Sequence, residues 1–296
     1  MIFDFRDYPN YIFGTINSNL ENYSFSRLIA PQIPDLRYSA GIIIRFKTDA
    51  KSIKIKYSLL RKVVQPHIGA TLTNGLFFAV YKENSSELIT RGCCITRSNE
   101  EWFAILNQNT NKFCDIQLYL PSFNEITDLF VDLGESNNLL ESKNNFLSQI
   151  VFCGGPMTLG SGCLFAAADF AHITARKLNS LAYNLGLNKN DFLDLRIAKA
   201  ICGLNPDLIV LEAFGVWTSV EHIKNNFRLY IESILSSIER TPIIILNQPY
   251  LGEWNGGYLE KEKIVREAVI ELNHAYPNRI FLLDGRKLFA GIDLDR

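Results

Sequence analysis

The chain has 296 residues, 47% hydrophobic and 21% charged, with 30 Lys and Arg against 31 Asp and Glu. At about 150 residues per domain this length allows two ordinary domains, and the composition excludes a disordered, collagenous or coiled-coil chain. A formal net charge of −1 offers no electrostatic attraction to nucleic acid or an anionic membrane, and no apolar run approaches the ~20 residues of a membrane span. The opening residues, Met1-Ile2-Phe3-Asp4-Phe5-Arg6-Asp7, mix acids into apolar positions and contain no signal-peptide core. A cytoplasmic protein is expected, with neither nucleic acid nor membrane as partner.

The first half alternates with period two. Ile53, Ile55 and Tyr57 are interleaved with Lys54, Lys56 and Ser58; Ile116, Leu118 and Leu120 with Gln117 and Tyr119; Thr127, Leu129, Val131 and Leu133 with Asp128, Phe130 and Asp132. Half-buried strands are predicted, separated by turn-rich stretches at 82–86 and 107–112. Their succession without helical periodicity predicts an antiparallel, jelly-roll-like β-sandwich over residues 1–145, with the polar stretch 135–145 as linker.

From about Ile150 the period changes, and an α/β domain is predicted over residues 146–296. Apolar runs at 150–153, 208–211, 243–246 and 280–283 have the length of strands buried on both faces. Between them, Val220, Ile223, Phe227, Tyr230, Ile231, Ile234 and Ile238 form one helical stripe, and Ile264, Ala268, Leu272 and Ala275 a second. Strands alternating with helices predict a parallel sheet with helices on both faces.

The six cysteines, Cys93, Cys94, Cys114, Cys153, Cys163 and Cys202, form no CxxC pair and no Cys/His cluster of zinc spacing. Free thiols are expected, and neither a metal nor another cofactor is called for. The four histidines are His67, His172, His222 and His274. His172 reads as a surface or packing residue, His222 and His274 as residues on the polar sides of their helices, and His67 as a loop residue.

Ligands of an open α/β sheet bind beyond the carboxyl ends of its strands, which directs attention to the residues after Cys153, Leu185, Glu212 and Leu246. The first of these runs Val151-Phe152-Cys153-Gly154-Gly155-Pro156-Met157-Thr158-Leu159-Gly160-Ser161-Gly162-Cys163. It is a strand entering a glycine-rich turn and a helix, and it lacks the Lys-Ser/Thr ending of a P-loop and the GxGxxG spacing. This segment resembles the first block of the SGNH (GDSL-like) hydrolases, in a branch with an N-terminal jelly-roll domain. The resemblance continues through Lys177-Leu178-Asn179, Asn184-Leu185-Gly186, the stretch 194–201, Asn205-Pro206-Asp207 with its strand, and Pro242 to Leu246. In the first half, the stretch 41–49 resembles the jelly-roll domain.

The resemblance implies a flavodoxin-like α/β domain and a lineage of acyl or carbohydrate esterases. Such enzymes use a first-block Ser as nucleophile, its N–H with a Gly and an Asn as oxyanion donors, and a C-terminal Asp-x-x-His as acid and base. Carried onto this chain, the nucleophile position holds Pro156, which has neither hydroxyl nor N–H. The Gly position falls on Lys189, beside Asn190, and the Asn position on Val216 or Trp217, according to a one-residue choice of register. No His follows Asp284. The resemblance therefore implies a pseudoenzyme that binds a sugar-like or acylated small molecule, or a protein partner. The alternative is an active esterase or acyltransferase with Cys163 or Ser161 as displaced nucleophile, or with a site completed by another chain.

Candidate binding residues are Gly155, Pro156, Lys189, Asn190, Trp217, Tyr250 and Trp254. Lys189 reads either as an anion-holding ammonium or as a solvated loop residue. The aromatics after the third and fourth strands read either as a ligand platform or as a lid packed on itself. A C-terminal end short of the family's last element predicts exposed apolar surface on the sheet or on the helix spanning 260–275, an invitation to a partner or to self-association.

Overall fold

A computed structural model describes residues 1–16, 25–27, 33–96, 101–106, 112–135, 138–142, 146–188, 193–215, 218–247, 257–285 and 287. The chain divides into two compact units, one of Met1–Leu147 with Gly160–Asn184, the other of Ser148–Leu159 with Leu185–Arg296. Among the described residues no helix is long and apolar enough to cross a membrane.

The first unit is built on two antiparallel sheets. One contains β1 (Ile2–Asp4), β4 (Ser52–Leu59), β7 (Phe103–Leu106) and β9 (Ile126–Asp132), in the order β1-β9-β4-β7. The other contains β2 (Ile12–Phe13), β3 (Ile43–Thr48), β5 (Gly75–Lys82), β6 (Leu88–Ile95), β8 (Cys114–Tyr119) and β10 (Leu140–Glu141), in the order β10-β3-β8-β5-β6, with β2 paired to β3. A single helical turn, α1 (Ala70–Thr73), precedes β5. Alternation does here what it should: Ile53, Ile55 and Tyr57 meet Ile44, Phe46, Ile116, Leu118, Leu129 and Val131 in one core cluster, while Lys54 is exposed.

The second sheet departs from the half-buried expectation. Its other face is covered as well, by residues that follow the first block in sequence. Ile43, Phe77, Ala79 and Tyr119 cluster with Ala166 and Ala167, and Phe165 stacks on Phe77 with ring centroids 4.2 Å apart. Beyond a short 3-10 turn at Ala166–Ala168 lies α3 (Phe170–Lys177). Its N-cap is Asp169, whose carboxylate accepts the N–H of His172.

The second unit carries a parallel sheet. Its strands are β11 (Ser148–Gly154), β12 (Ser180–Gly186, of which the last two residues belong to this unit), β13 (Leu208–Glu212), β14 (Ile243–Leu246) and β15 (Ile280–Leu283). Their order is β12-β11-β13-β14-β15, the flavodoxin-like arrangement, and the registers pair Cys153 with Leu211, Glu212 with Leu246, and Leu246 with Leu283. The four apolar runs named from the sequence are β11, β13, β14 and β15, and β12 is the fifth strand. A one-turn helix, α2 (Pro156–Leu159), follows β11, and α4 (Leu195–Leu204), α5 (Val220–Leu235) and α6 (Tyr258–Ala275) are the longer ones. In α5 the expected stripe is buried, with Ser219 as N-cap. In α6 the stripe is shifted by one residue. Tyr258, Lys261, Glu262, Val265, Val269 and Leu272 are buried, Ile264 and Ala268 are half-buried, and Ala275 is exposed. Phe281 and Leu283 of β15, and Leu259 and Ile270 of α6, are large apolar side chains left exposed.

Candidate functional site

In a sheet of this order the chain reverses its winding between the first and third strands, and the crevice at their carboxyl ends is where such folds place ligands. Here that point is formed by the end of β11 and the end of β13. The turn after β11 is Gly154-Gly155, and Pro156 is the first residue of α2, a position proline tolerates because its missing N–H has no intrahelical partner there.

Glu212, the last residue of β13, is fully buried and holds this turn. Its Oε2 accepts the N–H of Gly155 at 2.9 Å, the N–H of Thr158 at 3.1 Å and the Oγ1 hydroxyl of Thr158 at 2.8 Å. Burial pushes the carboxyl above the usual range for glutamate, and the hydrogen bonds from Thr158 and Gly155 oppose that rise. Gly154 is required by the same contact, since a Cβ there would collide with the Glu212 side chain. A Cβ on Gly186 would meet the backbone of Thr158 and Leu159. The turn is thus fixed from both neighbouring strands.

Two polar groups at the strand ends have no partner among the described residues. One is Glu212 Oε1. The other is Asn247, buried directly after β14, whose amide oxygen and nitrogen are both unpaired.

Of the site residues expected from the sequence, Gly155 is buried and Pro156 half-buried at the turn. Lys189, Asn190, Val216, Trp217, Tyr250 and Trp254 lie outside the described residues. Ser161 and Cys163 belong to the other compact unit. Burial pushes the Cys163 thiol up to about 11, so it is protonated at neutral pH. Cys153 is buried against the Tyr230 hydroxyl at 3.6 Å, and all six cysteines are free. Among the described residues no group of His, Cys, Asp and Glu could hold a metal ion.

Sequence reasoning missed Glu212 and Asn247 as site residues, although it had marked the strand ends that carry them. A Glu closing an otherwise apolar run was the available signal. His172 is not on the surface: it is 2% exposed, and its Nδ1 lies 2.5 Å from Asp169 Oδ2.

Residues 29–139 match the family model "GxDLY: N-terminus of Esterase_SGNH_hydro-type". No curated protein matches the chain. Among solved structures, a protein described as a GDSL-like lipase from Bacteroides ovatus superposes with a TM-score of 0.86 at 16% identity, over 99% of this chain and 89% of that one. The salicylyl-acyltransferase SsfX3 of a tetracycline biosynthetic pathway gives 0.68 at 15% identity, over 87% and 74%. A family two carbohydrate esterase from Clostridium thermocellum, solved with cellohexaose, gives 0.60 at 14%, over 83% and 82%. Residues 29–139 thus resemble the N-terminal domain of SGNH-type esterases, and the chain shares the fold of these GDSL-like and family two carbohydrate esterase structures.

Proposed function

We propose that this protein binds a sugar-like or acylated small molecule at the carboxyl ends of β11, β13 and β14 and does not hydrolyse esters. The observation that carries this reading is the turn after β11. Where the resemblance places a nucleophilic hydroxyl with its own N–H, Pro156 supplies neither. The amides of Gly155 and Thr158 are spent on Glu212, whereas an oxyanion hole needs free donors aimed at the developing charge.

A sugar-like ligand suits the unpaired Asn247 amide and Glu212 Oε1, and the C. thermocellum esterase of the same fold was solved with cellohexaose. The reading with Cys163 as displaced nucleophile is disfavoured by a thiol held protonated. Six free cysteines suit a reducing cytoplasm.

The test is hydrolysis of p-nitrophenyl acetate and butyrate by the purified chain, beside an active esterase of the same fold. The expected rate is that of buffer alone. Turnover above that rate, abolished by a serine- or thiol-directed reagent, would overturn the reading and place a nucleophile elsewhere in the chain.

A further inference from the structure

The β-sandwich unit contains a pocket lined by its own residues alone. It arises from the covered face of the second sheet. Register sets three cross-strand rows on that face: Ile43, Tyr119 and Phe77; Arg45, Gln117 and Ala79; Lys47, Asp115 and Tyr81. The first row is apolar and packs against Phe165, Ala166 and Ala167. The other two rows are polar apart from Ala79, with Lys47 and Asp115 buried and Arg45, Gln117 and Tyr81 half-buried, and a pocket of about 460 Å3 lies over them. Helix α3 lines it with His172 and Arg176, four residues apart on one helix face.

Cations that line a pocket without a carboxylate partner suit an anionic occupant. The pocket wall carries three permanent cations, Arg45, Lys47 and Arg176, against one carboxylate, Asp115. Asp115 is already engaged, accepting the Ser142 hydroxyl and the Asn84 N–H, both at 2.9 Å. Lys47 is shared between Asn84 and Glu83. Neither guanidinium forms an ion pair among the described residues. Arg45 lies over the Phe146 ring at 4.7 Å, reaches only Ser142 at 3.5 Å, and leaves its Nε buried and unpaired. Arg176 donates to the Ala167 carbonyl and lies over the Tyr119 ring at 5.7 Å.

His172 adds a further polar group. Its Nδ1 is held by Asp169 Oδ2 at 2.5 Å, which leaves Nε2 as the ring's second hydrogen-bonding atom. That Nε2 is buried and has no partner among the described residues. Two guanidiniums that form no ion pair among the described residues suit a planar carboxylate, and the imidazole with Gln117 and Tyr81 suits hydroxyls.

We propose that this pocket binds a small hydroxylated carboxylate of the sugar-acid class. The carboxylate lies between Arg45 and Arg176, and a hydroxyl hydrogen-bonds His172 Nε2.

The experiment is calorimetric titration of the full chain with D-glucuronate, D-glucose and inorganic phosphate. Saturable binding of glucuronate is expected, with glucose and phosphate each weaker by about tenfold or more, the worth of a lost charged hydrogen bond. Arg176→Gln removes one guanidinium from an exposed position, so its unliganded melting temperature should match the parent while glucuronate affinity falls about tenfold. Lys47→Met, in the neighbouring row, should weaken binding in the same direction and serves if Arg176→Gln melts early. The proposal is overturned by absence of saturable glucuronate binding. It is equally overturned by glucose or phosphate binding as tightly, or by affinity unchanged in both variants.

Discussion

Glu212 is the residue on which the α/β site turns, and its environment makes a prediction with a definite sign. Burial raises its folded-state carboxyl above the unfolded value, so between those two values the native state holds a proton that the unfolded chain has released. The stability contributed by the protonated form is fully present below the unfolded value near 4.3 and is lost as pH rises through the folded one. Urea unfolding from pH 4 upward should show the parent losing stability relative to Glu212→Gln, which cannot titrate. A parallel pair of pH profiles would refute the assignment. Glu212→Ala should cost about 2–5 kcal/mol at any pH, because it leaves two amides and a hydroxyl buried without an acceptor. At this scale the sequence was legible only by subtraction: Pro156 announces a missing hydroxyl, whereas nothing in the run Leu208 to Glu212 says that its terminal carboxylate folds back on the Gly155 turn. That contact joins residues 57 apart in the chain, and no local pattern encodes it.

Helix α6 shows the limits of periodicity at the scale of an element. A stripe drawn through Ile264, Ala268 and Leu272 is apolar and correctly spaced, but the buried stripe runs through Lys261, Val265, Val269 and Leu272. Charged residues at Lys261 and Glu262 disguised the inner face, since both are buried although their types read as exterior. Val265→Ala should therefore cost about 2 kcal/mol for two buried methyl groups. Ile264→Ala, which removes more atoms from a half-buried position, should cost under about 1 kcal/mol. Denaturant unfolding measures both, and the reverse order would restore the stripe read from the sequence. The strands fared better. The four apolar runs marked in the second half are strands of the parallel sheet, because strands in the middle of such a sheet need continuous apolar sequence, although β15 leaves Phe281 and Leu283 exposed.

At the scale of the whole molecule, the chain does not assign its segments to the two units in sequence order. Residues 160–184 follow the first α/β strand and its turn, yet they belong with the sandwich, where Phe165 stacks on Phe77 and Ala166 and Ala167 cover Ile43, Ala79 and Tyr119. A sandwich sheet that reads as half-buried thus buries an apolar patch of its second face as well, and the cover comes from beyond the linker expected at 135–145. A fragment of residues 1–147 should expose that apolar patch. It is expected to bind a hydrophobic dye and to melt well below the full chain, or without cooperativity. Residues 1–184 with 148–159 replaced by a Gly-Ser linker of equal length restore Phe165, the two alanines and α3, and should recover a cooperative transition without dye binding. The comparison isolates the cover itself, because both fragments lack the rest of the parallel sheet. A 1–147 fragment that melts cooperatively at the temperature of the longer fragment, with no dye bound, would show that the covering segment contributes nothing to the stability of the sandwich.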